Sequence, residues 1–135
     1  MSFPNSLLSQ STWRQVGFGY ATTVFALGTL ALGSPKIAGQ SLGVFPTTPE
    51  GVETNERSMT FLGIRDSAVA STLFWFHSEG KSREMGVLLS SWVAVCVVDT
   101  WVATKSLGRW GQGIGALYVG AAASAFLAAG LIQTP

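Results

Sequence analysis

The sequence predicts an all-α integral membrane protein, built as a four-transmembrane-helix bundle with a long first loop. Charged residues make up 11% of its 135 residues, about half of the usual share in a soluble domain. The mean hydropathy is +0.38, and the charges gather at a few places. In water such a chain would expose large apolar patches, whereas in lipid the composition is expected. The length fits a single transmembrane domain over residues 1–135.

The first and last spans are free of charge. No charged residue lies between Arg14 and Lys36, and none follows Arg109. Because a bilayer core takes roughly 20 apolar residues per helix, we expect helices over about 14–33 and 110–132. The apolar stretch of the first span is longer than a signal-peptide core, which favours a retained helix.

The two middle spans contain charges. The stretch 60–77 is apolar except for Arg65 and Asp66, and 84–104 is apolar at its centre except for Asp99. A charge at a helix centre costs about 2.5 to 3.5 kcal/mol, but neighbouring opposite charges can neutralise one another. We therefore predict that both stretches are transmembrane helices.

The predicted connections differ in length. Residues Ser34 to Met59 form a long loop, while the other two connections are short and imply antiparallel neighbours. Lys and Arg are spread evenly between the two sides, so the positive-inside rule leaves the orientation open. The sequence indicates a multi-pass protein, in the endoplasmic reticulum if the source is eukaryotic.

The last span carries small residues at a spacing that lets helices approach closely in lipid. They are Gly111 and Gly115, and the set Ala116, Gly120, Ser124 and Ala128. The stripe fits a homodimer interface, and it equally fits contact with another helix of the same chain.

Antiparallel pairing of the middle spans about residue 80 places Arg65 and Asp99 at similar depth. At 100° per residue, Trp92 shares a face with Asp99. The cluster of Arg65, Asp66 and Asp99 is either a structural ion pair or a substrate or proton site. In the second case Asp99 or Asp66 is the catalytic acid or base, and Arg65 binds a substrate oxygen.

Aromatic residues of the middle spans are candidates for packing a lipophilic substrate or stabilising a developing cation. They are Trp75, Trp92 and Trp101.

A second polar region lies at the short turn between the middle spans. It contains His77, Glu79, Lys81, Arg83 and Glu84, and a solvated turn accounts for most of it. Glu84 is a further catalytic candidate because a helix N-terminus favours an anion. His77 and Arg83 are candidates for substrate binding.

The composition argues against several other classes of function. The chain has one His and one Cys, with no cluster at metal-ligand spacing. We expect no metal and no cofactor. The net charge of +1 gives no indication of a nucleic-acid partner.

Short motifs give the chain a family resemblance. The segment Gly63-Ile64-Arg65-Asp66, then Arg83 with Gly86, then Asp99 resemble the small four-helix membrane proteins of domain of unknown function family 4267. The resemblance implies that Arg65, Asp66, Arg83 and Asp99 are the family positions. Because fungal members of such families are often associated with natural-product pathways, it also suggests a terpenoid or polyketide substrate.

Two functions fit these observations. The leading hypothesis is a membrane-embedded, cofactor-independent cyclase or isomerase that acts on a lipophilic small molecule. The alternative is a non-catalytic membrane protein: a carrier, channel subunit or scaffold. The few polar side chains of the first and last spans argue against ion transport by a monomer.

Overall fold

The computed structural model describes residues 2–135, and this part of the chain is helical without strands. After a short 3-10 turn at Asn5–Leu7, the helices are α1 (Gln10–Gly33), α2 (Pro35–Ser41), α3 (Pro49–Ser78), α4 (Ser82–Leu107) and α5 (Ile114–Ile132). Three of them, α1, α4 and α5, are long and apolar enough to cross a membrane. Their large exposed apolar side chains are those expected of an integral membrane protein.

The expected long first loop is wrong, because most of it is helical. Helix α2 occupies part of it, and α3 begins at Pro49. The Thr48 side chain accepts a hydrogen bond from the Gly51 N–H at 3.1 Å, and proline suits the first turn of a helix. Apolarity alone does not detect the first turns of α3, because they carry exposed glutamates and precede the apolar part of the helix.

The expected start of the last helix at residue 110 is also wrong. Gly108 and Gly113 both have φ of +82°, a backbone conformation that glycine adopts without strain. These residues make a turn, and α5 begins at Ile114. Gly111 therefore lies in the turn and does not share a helix face with Gly115.

The chain termini and the α3–α4 turn lie together, at what we call the terminal end. Here Asn5 Nδ2 donates to the Gly130 carbonyl at 2.8 Å, and Arg14 Nη2 donates to the His77 carbonyl at 3.0 Å. The opposite end, the α2 end, holds α2 and the α4–α5 turn, where Gln112 Nε2 donates to the Gln40 carbonyl at 3.3 Å.

Helix α1 packs closely on α3, and α4 packs closely on α5. Although α3 and α4 are joined by a short turn, they touch each other much less. The main core fills the space between the two pairs near the terminal end, with Trp13, Leu73, Met85, Leu89 and Leu131 fully buried. Toward the α2 end the same space is left open as cavities.

Two glycines make the close contact between α1 and α3. A methyl group on Gly28 would lie 2.7 Å from Ser67 Oγ and 3.0 Å from the Gly63 carbonyl oxygen. A methyl group on Gly63 would lie 2.7 Å from the Gly28 carbonyl oxygen. This contact fixes the position of α3 immediately before Arg65.

We expect Gly28→Ala to lower the free energy of unfolding in detergent by about 1–3 kcal/mol, because the added methyl overpacks the α1–α3 crossing. Gly19→Ala in the same helix is the matched control, since a methyl group there meets no atom within 4 Å. That variant should be at least as stable as the parent. Equal stability of the two variants, measured by denaturant titration, would show that the crossing is not tightly packed.

Candidate functional site

Arg65 joins α3 to α4 by a bidentate ion pair. Its Nη1 donates to Asp99 Oδ1 at 3.1 Å, and its Nη2 donates to Asp99 Oδ2 at 2.8 Å. Its Nε donates to Asp66 Oδ1 at 3.1 Å. These contacts agree with the predicted similar depth of Arg65 and Asp99, and they show that one guanidinium serves two carboxylates.

The Arg65 guanidinium also lies against an aromatic ring, with its Cζ 5.2 Å from the ring centroid of Trp92. The Trp92 Nε1 in turn donates to the Tyr20 hydroxyl oxygen at 3.0 Å. The polar network therefore continues from α3 through α4 to α1. Guanidinium over indole is a favourable cation–π arrangement.

The local sequence of α3 explains where these charges lie. Met59, Gly63, Asp66 and Ala70 form the buried stripe of the helix, so Asp66 points into the bundle and is only 8% exposed. Arg65 stands beside that stripe and reaches across to α4. A charge on a buried helix face needs a partner, which Arg65 supplies.

A cavity of about 490 Å³ lies between α1, α4 and α5. Each helix contributes one stripe at spacing i, i+4, i+7, which is one helix face. The stripes are Tyr20, Val24 and Leu27; Trp92, Cys96 and Asp99; and Ala116, Gly120 and Ala123. Among the lining residues, Leu27 of α1 and Val119 of α5 are exposed, which indicates that the cavity opens sideways between these two helices.

A second cavity of about 290 Å³ lies toward the α2 end. Leu42 and Val44, in the segment after α2, form one wall, and Leu62 and Leu107 form others. Asp99 lines this cavity as well as the larger one. Among residues 2–135 it is the one charged side chain that lines either of these two cavities.

The sequence model of a protein family described as domain of unknown function (DUF4267) matches residues 21–131. The chain belongs to this family. No curated protein and no solved structure matches it.

The matched residues of the DUF4267 family include the whole charged network. Arg65 and Asp99 lie at its centre, whereas Gly63 packs against Gly28 of α1. Gly86 lies at the opposite end of α4, where an added methyl group would collide with the backbone of Ile132 in α5. The motif glycines are therefore packing positions, whereas Arg65 and Asp99 make the network.

The structure does not bring the second polar region to this site. Glu84 and Arg83 are exposed at the terminal end, and Glu84 is about 22 Å from Asp99 along α4 at 1.5 Å per residue. His77 packs its ring against Phe18 at 4.8 Å. The region is a turn at the helix ends, separate from both cavities.

Two of the three tryptophan candidates also lie elsewhere. Trp75 is 68% exposed. Trp101 lies under Lys105 Nζ, which is 4.1 Å from its ring centroid, and it lines a separate groove with Tyr118. Trp92 is the one that contacts the charged network.

Tyr20 and Cys96 line the larger cavity and are not among the predicted site residues. A signal for Tyr20 exists, because tyrosine in membrane helices concentrates at the interfaces and Tyr20 lies well inside the first span. The small-residue stripe of α5 also faces the chain interior. Ser124 and Ala128 are buried, and Ala116 and Gly120 line the cavity.

Proposed function

We propose that this protein is a membrane-embedded enzyme without a redox cofactor, which performs acid–base chemistry such as cyclisation or isomerisation on a lipophilic small molecule. One observation carries the proposal: the paired carboxylate of Asp99 forms part of the wall of an apolar cavity that opens sideways. Ionisable residues at membrane depth are usually functional.

The cavity suits a lipophilic ligand. Its volume of about 490 Å³ falls within the range of small-molecule pockets, about 300–1,000 Å³. Its opening between α1 and α5 lets a molecule enter directly from the hydrocarbon layer. The family resemblance favours a terpenoid or polyketide as the ligand.

Asp99 is the proposed proton acceptor. Arg65 occupies one acceptor site on each of its oxygens, and a carboxylate has about four such sites, so a ligand can still be bound. Arg65 is a positioning residue, because three of its five N–H donors bind Asp66 and Asp99, its face lies against Trp92, and it lines neither cavity. Asp66 holds Arg65 from the other side without lining either cavity.

Tyr20 is the proposed hydrogen-bond donor. Its hydroxyl oxygen accepts a hydrogen bond from Trp92 Nε1, which leaves the hydroxyl hydrogen to be donated. Tyr20 and Asp99 line the same cavity, so an acceptor and a donor of protons face one ligand. Proton transfers of this kind typically accelerate a reaction by 10²–10⁴-fold.

We also propose that α3 crosses the membrane as a fourth span. It runs antiparallel to α1 over most of its length. Asn55 donates to the carbonyl of Pro35, just after the end of α1, and the His77 carbonyl accepts from Arg14 near the start of α1. Phe61 and Ile64 are 77% and 60% exposed, as expected of side chains that face lipid. The pairing of Arg65 with Asp99 lowers the free-energy cost of placing the Arg65 charge in the membrane.

Single cysteines test the path of α3, in a Cys96→Ala background and with a membrane-impermeant maleimide on sealed vesicles. We expect Glu50→Cys and Glu79→Cys, both exposed at opposite ends of α3, to react from opposite sides. Arg109→Cys should react from the same side as Glu50→Cys. Labelling of Glu50→Cys and Glu79→Cys from one side would rule out a crossing by α3.

Asp99→Asn tests the catalytic proposal, because the amide keeps the shape but is a far weaker base. Purified protein in nanodiscs is incubated in D2O with a panel of terpenoid and polyketide lipids, and carbon-bound deuterium in the products is measured by mass spectrometry. We expect the parent to give labelled product and Asp99→Asn to lose about 10²-fold or more of the rate.

Glu53→Gln is the matched control, since this carboxylate pairs with Arg57 on the exposed part of α3 and should leave the rate unchanged. The thermal midpoints of all three proteins report folding. Full turnover by Asp99→Asn would remove Asp99 from the mechanism.

A further inference from the structure

We infer that the site binds a neutral lipid whose hydroxyl lies in the interior of the molecule, with an apolar arm on each side. The inference rests on the proposed function only in placing the ligand at Asp99. It names the ligand class, which the proposed reaction leaves open.

The first argument is the position of Asp99 between two cavities. The cavities of about 490 Å³ and 290 Å³ lie on either side of it, and Asp99 and Leu117 line both. A ligand with a polar group at one end would use one cavity and leave the other empty. A ligand with a central polar group fills both while its polar group contacts Asp99.

The second argument is the charge of the network. Asp66 and Asp99 share the single positive charge of Arg65, so the formal charge of the network is −1. In an apolar surrounding a further negative charge is strongly repelled. Fatty acids and prenyl diphosphates are therefore poor ligands.

A cationic ligand is also disfavoured. The Trp92 face that would attract a cation is covered by Arg65 at 5.2 Å, and both Asp99 oxygens accept from Arg65. An ammonium group at Asp99 would lie beside the guanidinium and would lose far more hydration free energy in an apolar cavity than a hydroxyl does. A hydroxyl, by contrast, donates to a remaining lone pair of Asp99 without disturbing the pair.

The third argument is that, apart from Tyr20 and Cys96 in the larger cavity, the cavity walls away from Asp99 have little to offer a second polar group. Thr23 in the larger cavity donates to the Gly19 carbonyl at 3.0 Å. Ser106 in the smaller one donates to the Val102 carbonyl at 3.2 Å. Both hydroxyl hydrogens are used within their own helices, so the arms of the ligand are expected to be apolar.

The test compares three probes of equal chain length on the purified protein in nanodiscs. They are heptadecan-9-ol, its isomer heptadecan-1-ol, and heptadecanoic acid, each tritiated, with equilibrium binding measured by scintillation proximity. We expect the mid-chain alcohol to bind at least about tenfold more tightly than the other two. The terminal alcohol can reach Asp99 only by leaving one cavity empty, which loses apolar burial, and the acid brings a repelled negative charge. Equal or tighter binding of the terminal alcohol or the acid would overturn the inference.

Two variants test whether both cavities are used. Ala103→Phe fills only the smaller cavity, and Gly120→Phe fills only the larger one. Each should weaken binding of heptadecan-9-ol about tenfold or more, while Ala122→Phe on the exposed side of α5 should not. Unchanged affinity in Ala103→Phe, with an unchanged thermal midpoint, would confine the ligand to the larger cavity and overturn the inference.

The outcomes separate this inference from the proposed function. Heptadecan-9-ol is saturated and is used only as a binding probe, so its affinity does not depend on turnover. Preferred binding of it by a protein that never labels a product in D2O would support the ligand class and contradict the enzyme. Turnover of lipids with a terminal polar group, without binding of heptadecan-9-ol, would support the enzyme and contradict the ligand class.

Discussion

The ion pair between Arg65 and Asp99 is the interaction on which the rest of the structure depends. A single charge at membrane depth costs several kcal/mol unless it is paired, and α3, which we propose as a fourth span, carries two adjacent charges. Because Arg65 donates to Asp66 and to Asp99 and lies against Trp92, it satisfies the charges of its own helix and of its neighbour. The same contacts hold Asp99 at the cavity wall, where a ligand can reach it.

The packing of the bundle explains why there is a cavity at that wall. Large buried side chains such as Trp13 and Leu131 fill the terminal end, whereas the stripe of α5 toward the α2 end is made of small residues such as Gly120. Small residues let helices approach closely, but they leave an unfilled space wherever the neighbouring helix lies farther away. Since α3 and α4 touch little, Arg65 bridges them with a long side chain rather than by backbone contact.

Much of this arrangement could be predicted from the sequence, and the failures have physical causes. Charge-free windows predict α1 and α5, an apolar window interrupted by Asp99 predicts α4, and antiparallel counting from the turn matches the depths of Arg65 and Asp99. The early start of α3 at Pro49 was missed because hydropathy does not detect a polar helix. Counting at 100° per residue puts Trp92 on the face of Asp99, and Trp92 contacts Arg65, whereas Trp101 faces outward. Counting does not show toward which neighbouring helix that face turns.

The most direct test of this account is a double-mutant cycle between Arg65 and Asp99, with the free energy of unfolding measured in detergent for Arg65→Met, Asp99→Leu and both together. Arg65→Met leaves Asp66 and Asp99 both unpaired, and Asp99→Leu leaves Arg65 with Asp66 as its one partner. In the double variant only Asp66 is unpaired, so the two effects should not add. We predict a coupling energy of about 1–3 kcal/mol. The exposed pair of Arg57 and Glu53 is the control, for which about 0–0.5 kcal/mol is expected. Additive effects at Arg65 and Asp99, no larger than in the control, would contradict the central role of this pair.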